Sequence, residues 1–213
     1  EPEIILKDLH PKYENQNIIS RFEKKSAQSA KSTRVEKIQH HKAHFASILG
    51  EKKLWKKDKV LGIIWDGIGF GTSTEIWGGE FFLFENKRIK RVGQLENFAW
   101  ILGDKMSKSP KISALSISDN NEDLKFAFDE NEWKIYTQLI EKSEVKTSSM
   151  GRFFDAVSFV LGYEKPIFFE GESAMWLEKI SQEKFPTDFT DFHRLKDYLK
   201  NDEFENIPTK KLF

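Results

Sequence analysis

Between residues 60 and 94 the chain alternates strand-length apolar runs with turn residues, and this pattern limits the possible folds more than any other stretch. It opens with VLGIIWDGIGFG, in which Val60 to Trp65 form a continuous apolar run that ends at Asp66 and a glycine-rich turn. A run of this length bounded by glycine reads as a buried strand. Ile76 to Phe84 reads as a second strand, rich in aromatics, and Arg88 to Gln94 as a third. The short Glu85-Asn86-Lys87 connection suits a hairpin. The expectation is strand, glycine turn, strand, tight turn, strand: an antiparallel meander.

The flanking segments supply a different rhythm. Ile4 to Lys7 reads as a short strand broken by Asp8-Leu9-His10-Pro11, and the spacing of Ile18, Ile19, Phe22 and Ala27 suits a helix over 17–31. Arg34 to Gln39 is extended, and a helical pattern starts at His40, with Phe45, Ile48 and Leu49 on one face and Gly50 as a stop. Strand–helix–strand–helix argues for an α/β domain. From Gly103 onward the chain reads as mostly helical. Residues 121–142 form one amphipathic helix or two, and TSSMGRFFDAVSFVLG forms another, with Thr147 and Ser148 as capping candidates and Gly162 as its end. In that helix Met150, Phe153, Phe154, Val157 and Leu161 would take the core side. Glu172 to Gln182 is a further helix, and the last thirty residues are irregular and charged.

Composition removes several functional classes. Lysine plus arginine equals aspartate plus glutamate, 34 each, so no net charge recruits nucleic acid or an acidic membrane. The basic cluster Lys52, Lys53, Lys56, Lys57 and Lys59 reads as a solvated loop. With no cysteine there are no disulfides, no thiolate nucleophile and no Cys-type zinc site. No apolar run approaches the roughly 18 residues of a spanning helix. The chain reads as a soluble cytoplasmic protein whose metal ligands, if it has them, are His, Asp, Glu, Tyr or backbone oxygen.

Three local patterns carry chemistry. QHHKAH holds three of the five histidines. His40 and His44 stand four apart, so on a helix they project from one face and can reach one ion; histidines with no role would show the same spacing. His41 points about 100° away and need not be a ligand. Asp66 then leads into Gly67-Ile68-Gly69-Phe70-Gly71, where backbone N–H groups can cradle phosphate and the carboxylate can hold a cation. No lysine follows as in a Walker loop, and a plain glycine-rich hairpin turn is the competing reading. In Gly151-Arg152-Phe153-Phe154-Asp155, Gly151 and Asp155 lie one turn apart on a face without bulk. A ribose hydroxyl pair or a closely approaching ligand needs such a face, and so does an ordinary solvated acidic surface.

Taken together, these residues resemble the HypF-type carbamoyltransferases of nickel–iron hydrogenase maturation. DLHPKY (8–13) is similar to that family's DLHPxY, and QHHKAHFAS to its QHHHAH block with Lys42 in place of the middle histidine. DGIGFG followed by IWGGEF resembles DGxGxG…xWGGEF. TSSMGRFFDAV resembles TSSMGRLFDAV, and FEGESAMWLE resembles YEGQAAMxLE. The blocks keep their order over residues 8 to 178. ILGDKMSKSPK departs from a GGDKAxxxPxR block, with Leu102 for a glycine and Lys111 for the arginine. The HHxAH element is shared with small-molecule O-carbamoyltransferases, which remain an alternative reading, as does an inactive truncated metal- or nucleotide-binding module.

The resemblance implies an α/β fold of the two-lobed actin/Hsp70/sugar-kinase (ASKHA) class, related to tRNA threonylcarbamoyl-transfer enzymes, with the antiparallel meander opening the second lobe. Residues 1–57 would then end the first lobe and carry the His-x-x-x-His helix, and 58–213 would start the second, whose C-terminal part is absent. It implies a divalent metal, iron or zinc, on His40, His44 and Asp66. A nucleotide site would use Gly67, Gly69, Asp155 and Gly171. ATP, with magnesium, and carbamoyl phosphate would react through carbamoyl adenylate, and the acceptor would be the C-terminal cysteine of a HypE-like protein. Nucleic acid and membrane are not implied as partners. The family's SGGVFQN and NDGG segments, the latter with a fourth metal ligand, do not occur in this sequence. The chain therefore reads as an interior segment of a longer protein.

Overall fold

The computed structural model describes residues 3–10, 19–22, 34–72, 74–118, 121–184 and 206–207. Strand β1 (Ile4–Asp8) pairs in parallel with β2 (Arg34–Ile38), from Ile4 opposite Arg34 to Asp8 opposite Ile38. Of the helix expected over 17–31, only 19–22 fall within the described residues, and they are helical. Helix α1 (His40–Glu51) follows β2 after one residue, capped by the Gln39 side chain, which accepts the Lys42 backbone N–H. Ile48, expected on its inner face, is exposed. The buried stripe is instead His41, Phe45 and Leu49, spaced four apart.

The meander is present. Strands β3 (Lys59–Phe70), β4 (Ile76–Glu85) and β5 (Arg88–Leu95) pair antiparallel in sequence order. Asn86 and Lys87 both take left-handed backbone, as the two central residues of the tightest hairpin turns do. The glycine-rich stretch is not a turn, however. Strand β3 runs through it to Phe70, and its register with β4 shifts between Trp65 and Gly69. The extra residues form a bulge that aims Asp66 out of the ladder. Nor is the strand buried on both faces, since Leu61, Ile63 and Trp65 are exposed while Val60 and Ile64 pack inward. Short strands β6 (Phe98–Ala99), β7 (Lys146–Thr147) and β8 (Asn206–Ile207) extend the sheet, β7 joining β4 in parallel at Ile76.

Helices α2 (Asp104–Lys108), α3 (Pro110–Ile117), α4 (Glu130–Lys142), α5 (Met150–Val160) and α6 (Glu172–Lys184) follow among the described residues, with a 3-10 segment at Asn121–Ala127. Residues 121–142 are therefore two pieces. Two cores result. One lies under α1, with Phe45, Leu49, Trp77, Phe82 and Phe84. The larger joins Phe81 and Leu95 to α3, α4 and α5 through Leu115, Tyr136 and Phe153. Leu161, expected in that core, is exposed just past the end of α5, where Gly162 adopts a positive φ. Leu102, standing where a glycine was expected, has φ +59, the left-handed backbone that glycine adopts without cost. Lys111 donates to Glu132 at 2.8 Å and so ties α3 to α4. The basic cluster is exposed, and no helix among the described residues is long and apolar enough to cross a membrane.

Candidate metal and nucleotide site

Helix α1 lies against β3, and glycines let it approach. A Cβ at Gly62 would stand 2.6 Å from a carbon of the Phe45 ring, and one at Gly69 would stand 2.7 Å from His41 Nε2. With His41, Phe45 and Leu49 committed to packing, the adjacent stripe of the same helix carries His40 and His44 to the open side. There the two Nε2 atoms face each other at 3.1 Å. Asp66 Oδ2, raised by the bulge, stands 3.4 Å from His40 Nε2 and 3.8 Å from His44 Nε2.

This triangle is close to the size a metal ion needs. Donors about 2.0–2.2 Å from a four- to six-coordinate zinc-like ion stand roughly 3.0–3.6 Å apart; two edges lie in that range and the third, from exposed His44, is wider at 3.8 Å. Two imidazoles and one carboxylate suit zinc or iron better than magnesium or calcium, which prefer oxygen. Among the described residues no lysine or arginine pairs with Asp66, so its charge is balanced by imidazole and backbone alone. Burial pushes the Asp66 carboxyl up, but the His41 hydrogen bond, the Gly67 N–H and the imidazole charges outweigh it and hold it below its ordinary value.

The triangle opens onto a cavity of about 660 Å³. Its lining includes His40, Asp66, Gly67, Gly151, Arg152 and Asp155, together with the apolar Trp65, Ile68, Phe154 and Phe168. The volume lies in the roughly 300–1,000 Å³ range of small-molecule sites. Helix α5 contributes its first turn. Its cap is Ser149, whose Oγ accepts the Arg152 N–H and donates to the Gly67 carbonyl. Thr147 and Ser148, the expected caps, are used otherwise: Thr147 pairs in β7 and Ser148 donates to Glu80. Gly151 packs on the Gly67 backbone, where a Cβ would come within 2.9 Å of the Gly67 Cα.

Asp155 is 2% exposed, which removes the solvated-surface reading. Its Oδ2 accepts from Arg152 Nε at 2.6 Å and its Oδ1 from the Ser173 hydroxyl. Burial pushes its carboxyl up, partly offset by Arg152 and Ser173. Gly171, with φ +80 at the turn into α6, also lines the cavity. Gly69 does not. It lies under His41, and its missing side chain serves helix packing.

Two polar partners of the triangle escaped the sequence reading. Asp8 Oδ2 stands 2.9 Å from His40 Nδ1, and the fully buried His41 places Nε2 3.2 Å from Asp66 Oδ2. Glu80 escaped as well. It is fully buried, with Oε1 accepting from the Gly78 N–H and Ser148 and Oε2 from Arg91 Nε at 2.5 Å, while Arg91 lies over the Trp77 ring. A lone carboxylate inside the aromatic run IWGGEFFLF was the available signal, because a buried charge needs a partner.

A bulged meander, a helix-borne histidine pair and a cavity against a second helix define a partial, Kae1-like domain of the actin/Hsp70/sugar-kinase class. The comparisons name the family. Residues 62–209 match the family model described as "Carbamoyltransferase, Kae1-like Domain, second subdomain", and residues 1–51 match "HypF Kae1-like domain". The chain belongs to the HypF carbamoyltransferase family. It is 31% identical to a probable carbamoyltransferase HypF of Methanocaldococcus jannaschii over 92% of this chain and 26% of that protein. It is 35% identical to carbamoyltransferase HypF of Rhodobacter capsulatus over 87% and 25%. Among solved structures, full-length HypF in the phosphate- and nucleotide-bound form superposes with TM-score 0.65 at 33% identity, over 84% of this chain and 23% of that one. HypF of T. kodakarensis superposes with TM-score 0.70 at 27% identity, over 88% and 26%. The chain thus spans about a quarter of the length of these relatives.

Proposed function

We propose that this chain forms the cation- and nucleotide-holding part of a carbamoyltransferase that uses ATP and carbamoyl phosphate, with carbamoyl adenylate seated between β3 and α5. The acceptor is the C-terminal cysteine of a HypE-like protein. One observation carries the reading: the three-donor triangle of His40, His44 and Asp66 stands at the edge of the same cavity that Gly67, Asp155 and Gly171 line. The relative solved with phosphate and nucleotide supports it. In this reading residues 1–57 close the first lobe and 58–213 open the second.

An iron or zinc ion held by His40, His44 and Asp66 would supply Lewis acidity toward the oxygens of the bound intermediate. The chain's own groups do the rest. Gly151 lets the Gly67 backbone pack on α5, and Gly67, with open space where a side chain would stand, leaves room for phosphate beside the first turn of α5, whose N–H groups favour an anion. Asp155, clamped by Arg152 and Ser173, is a fixed acceptor for ribose hydroxyls, and Gly171 adds no side chain to the opposite edge. Trp65, Phe154 and Phe168 give the base an apolar wall. In this reading the sulfur nucleophile arrives with the acceptor, and these 213 residues, which hold no cysteine, need not supply one.

Metal analysis of the chain after iron or zinc loading tests the ligands. One ion per chain is expected, with loss in His40→Ala and in His44→Ala, and unchanged stoichiometry in both variants would sink the assignment. For the chemistry, the readout is ATP-dependent carbamoylation of a cysteine-ended peptide by a complete HypF containing this segment. No transfer by a metal-loaded sample would count against it.

A further inference from the structure

We propose that Asp8 and His41 are positioning residues of the cation site, each fixing one ligand from behind: Asp8 the imidazole of His40, and His41 the carboxylate of Asp66. The inference rests on the assignment of His40, His44 and Asp66 as ligands. It adds an orienting layer that explains why a third histidine lies inside the motif without pointing at the ion.

Asp8 comes first. Its Oδ2 stands 2.9 Å from His40 Nδ1, and its Oδ1 accepts the His10 backbone N–H at 2.7 Å. A carboxylate held at both oxygens cannot turn away. Facing an anion, Nδ1 is the N–H end of the ring, so Nε2 keeps its lone pair on the side of His44 and Asp66. The two residues come from β1 and α1, and the pairing of β1 with β2 brings them together.

His41 reverses the roles. The Gln39 side-chain oxygen caps α1 by accepting the Lys42 N–H at 3.0 Å, which settles which end of the amide is the donor. Its Nε2 then donates to the Phe70 carbonyl at 3.1 Å and faces His41 Nδ1 at 3.5 Å. A donor opposite Nδ1 makes that nitrogen the acceptor. The proton therefore sits on Nε2, which donates to Asp66 Oδ2 at 3.2 Å. The Gly67 N–H holds the other oxygen at 2.6 Å. A nitrogen carrying a proton has no lone pair for a metal, so His41 orients a ligand and is not one. Its ring is fully buried over Gly69, with no room to turn. His44 is the contrast. Its side chain is 54% exposed, and among the described residues nothing holds its far nitrogen. Two ligands are fixed and the third is adjustable.

Outer hydrogen bonds of this kind fix ring orientation and raise ligand basicity, and losing one costs about 10–100-fold in metal affinity. The test titrates the full chain with Co(II) and Zn(II), Co(II) absorption reporting the donor set. Asp8→Asn and His41→Phe are each expected to weaken binding about 10–100-fold, with one ion per chain and unchanged Co(II) band positions. His41→Gln, which can return an N–H toward Asp66, should recover part of the loss. In the metal-free chain, ¹⁵N spectra of labelled histidine should show His41 protonated at Nε2. Wild-type affinity in both Asp8→Asn and His41→Phe, with the ion lost in His40→Ala, overturns the proposal and leaves the ligand assignment standing. Loss of a nitrogen donor from the Co(II) spectrum of His41→Phe makes His41 a ligand and also overturns it. Unchanged binding in His40→Ala overturns the ligand assignment and the proposal with it. Asp8 lies outside both cores, so Asp8→Asn keeps the test open if His41→Phe does not fold.

Discussion

Asp66 and Glu80 are carboxylates on neighbouring strands that the protein treats in opposite ways. Glu80 is fully buried, and both its oxygens are satisfied by Gly78, Ser148 and the charge of Arg91. Asp66 keeps 21% of its side chain exposed and, among the described residues, meets only a backbone N–H and imidazole nitrogens. An acid balanced by an internal cation is finished as it stands. An acid balanced only by imidazoles in a ligand-sized triangle has a place for an external cation. The contrast separates the WGGEF block, whose acid is satisfied internally, from the DGIGFG block, whose acid faces imidazoles, although both are glycine-rich. Gly78 and Gly79 admit the backbone of Ser148 and Ser149, whereas Gly67 leaves cavity space.

The comparison makes separable predictions. Glu80→Ala leaves the partly buried Arg91 with only the longer contact to Glu75 at 3.6 Å and is expected to cost about 3 kcal/mol in urea unfolding, the low end for a broken buried pair. The metal content of the folded fraction should not change. Asp66→Asn should do the reverse, losing the ion while unfolding within about 1 kcal/mol of the metal-free wild type. If Glu80→Ala loses metal without losing stability, the division of labour between the two acids is wrong.

Ser149→Ala joins the two regions, because Ser149 caps α5 and donates to the Gly67 carbonyl. Loss of the cap should cost about 1 kcal/mol, measurable as a lower unfolding midpoint. Nucleotide affinity should weaken along with it, since Gly67 loses its tether. A stability loss with unchanged nucleotide binding would confine Ser149 to capping.

The smallest effects lie in acid. In the metal-free chain the Asp66 carboxyl is held below its ordinary value, so its contribution is present above the unfolded pKa of about 4 and is lost as pH falls through the folded one. Asp155, pushed up by burial, behaves oppositely: its contribution is present below about pH 4 and is lost as pH rises through its folded value. Urea unfolding across this range should show Asp66→Asn removing a component that rises with pH and Asp155→Asn removing one that falls. Two slopes of the same sign would contradict the environments described.

Much of the site was legible because its signals are local. His40 and His44 are neighbours by helix period alone, and Asp66 stood out as a charge at the end of an apolar run. Gly171 and Asp155 came from their motifs and do line the cavity, while Gly69 came from the same logic and proved to be a packing glycine. Thr147 and Ser148 were reasonable caps by residue type. Ser149 took the position because β7 and Glu80 had claimed the other two. Asp8 could not be assigned from spacing, since 32 positions separate it from His40.

The sequence by itself determined strands β1 to β5, the hairpin, helices α1, α4, α5 and α6 and a histidine pair one turn apart, because each depends on periods of two or 3.6 residues and on nearby glycine. Tertiary structure alone decided which stripe of α1 turns inward. That choice follows from Gly62 and Gly69 on a strand beyond the helix, which receive Phe45 and His41 and so leave His40 at the cavity and His44 beside it on the open side. The bulge that lifts Asp66 toward them is likewise a matter of register between β3 and β4, and register is set by which side chains can be buried together across two strands.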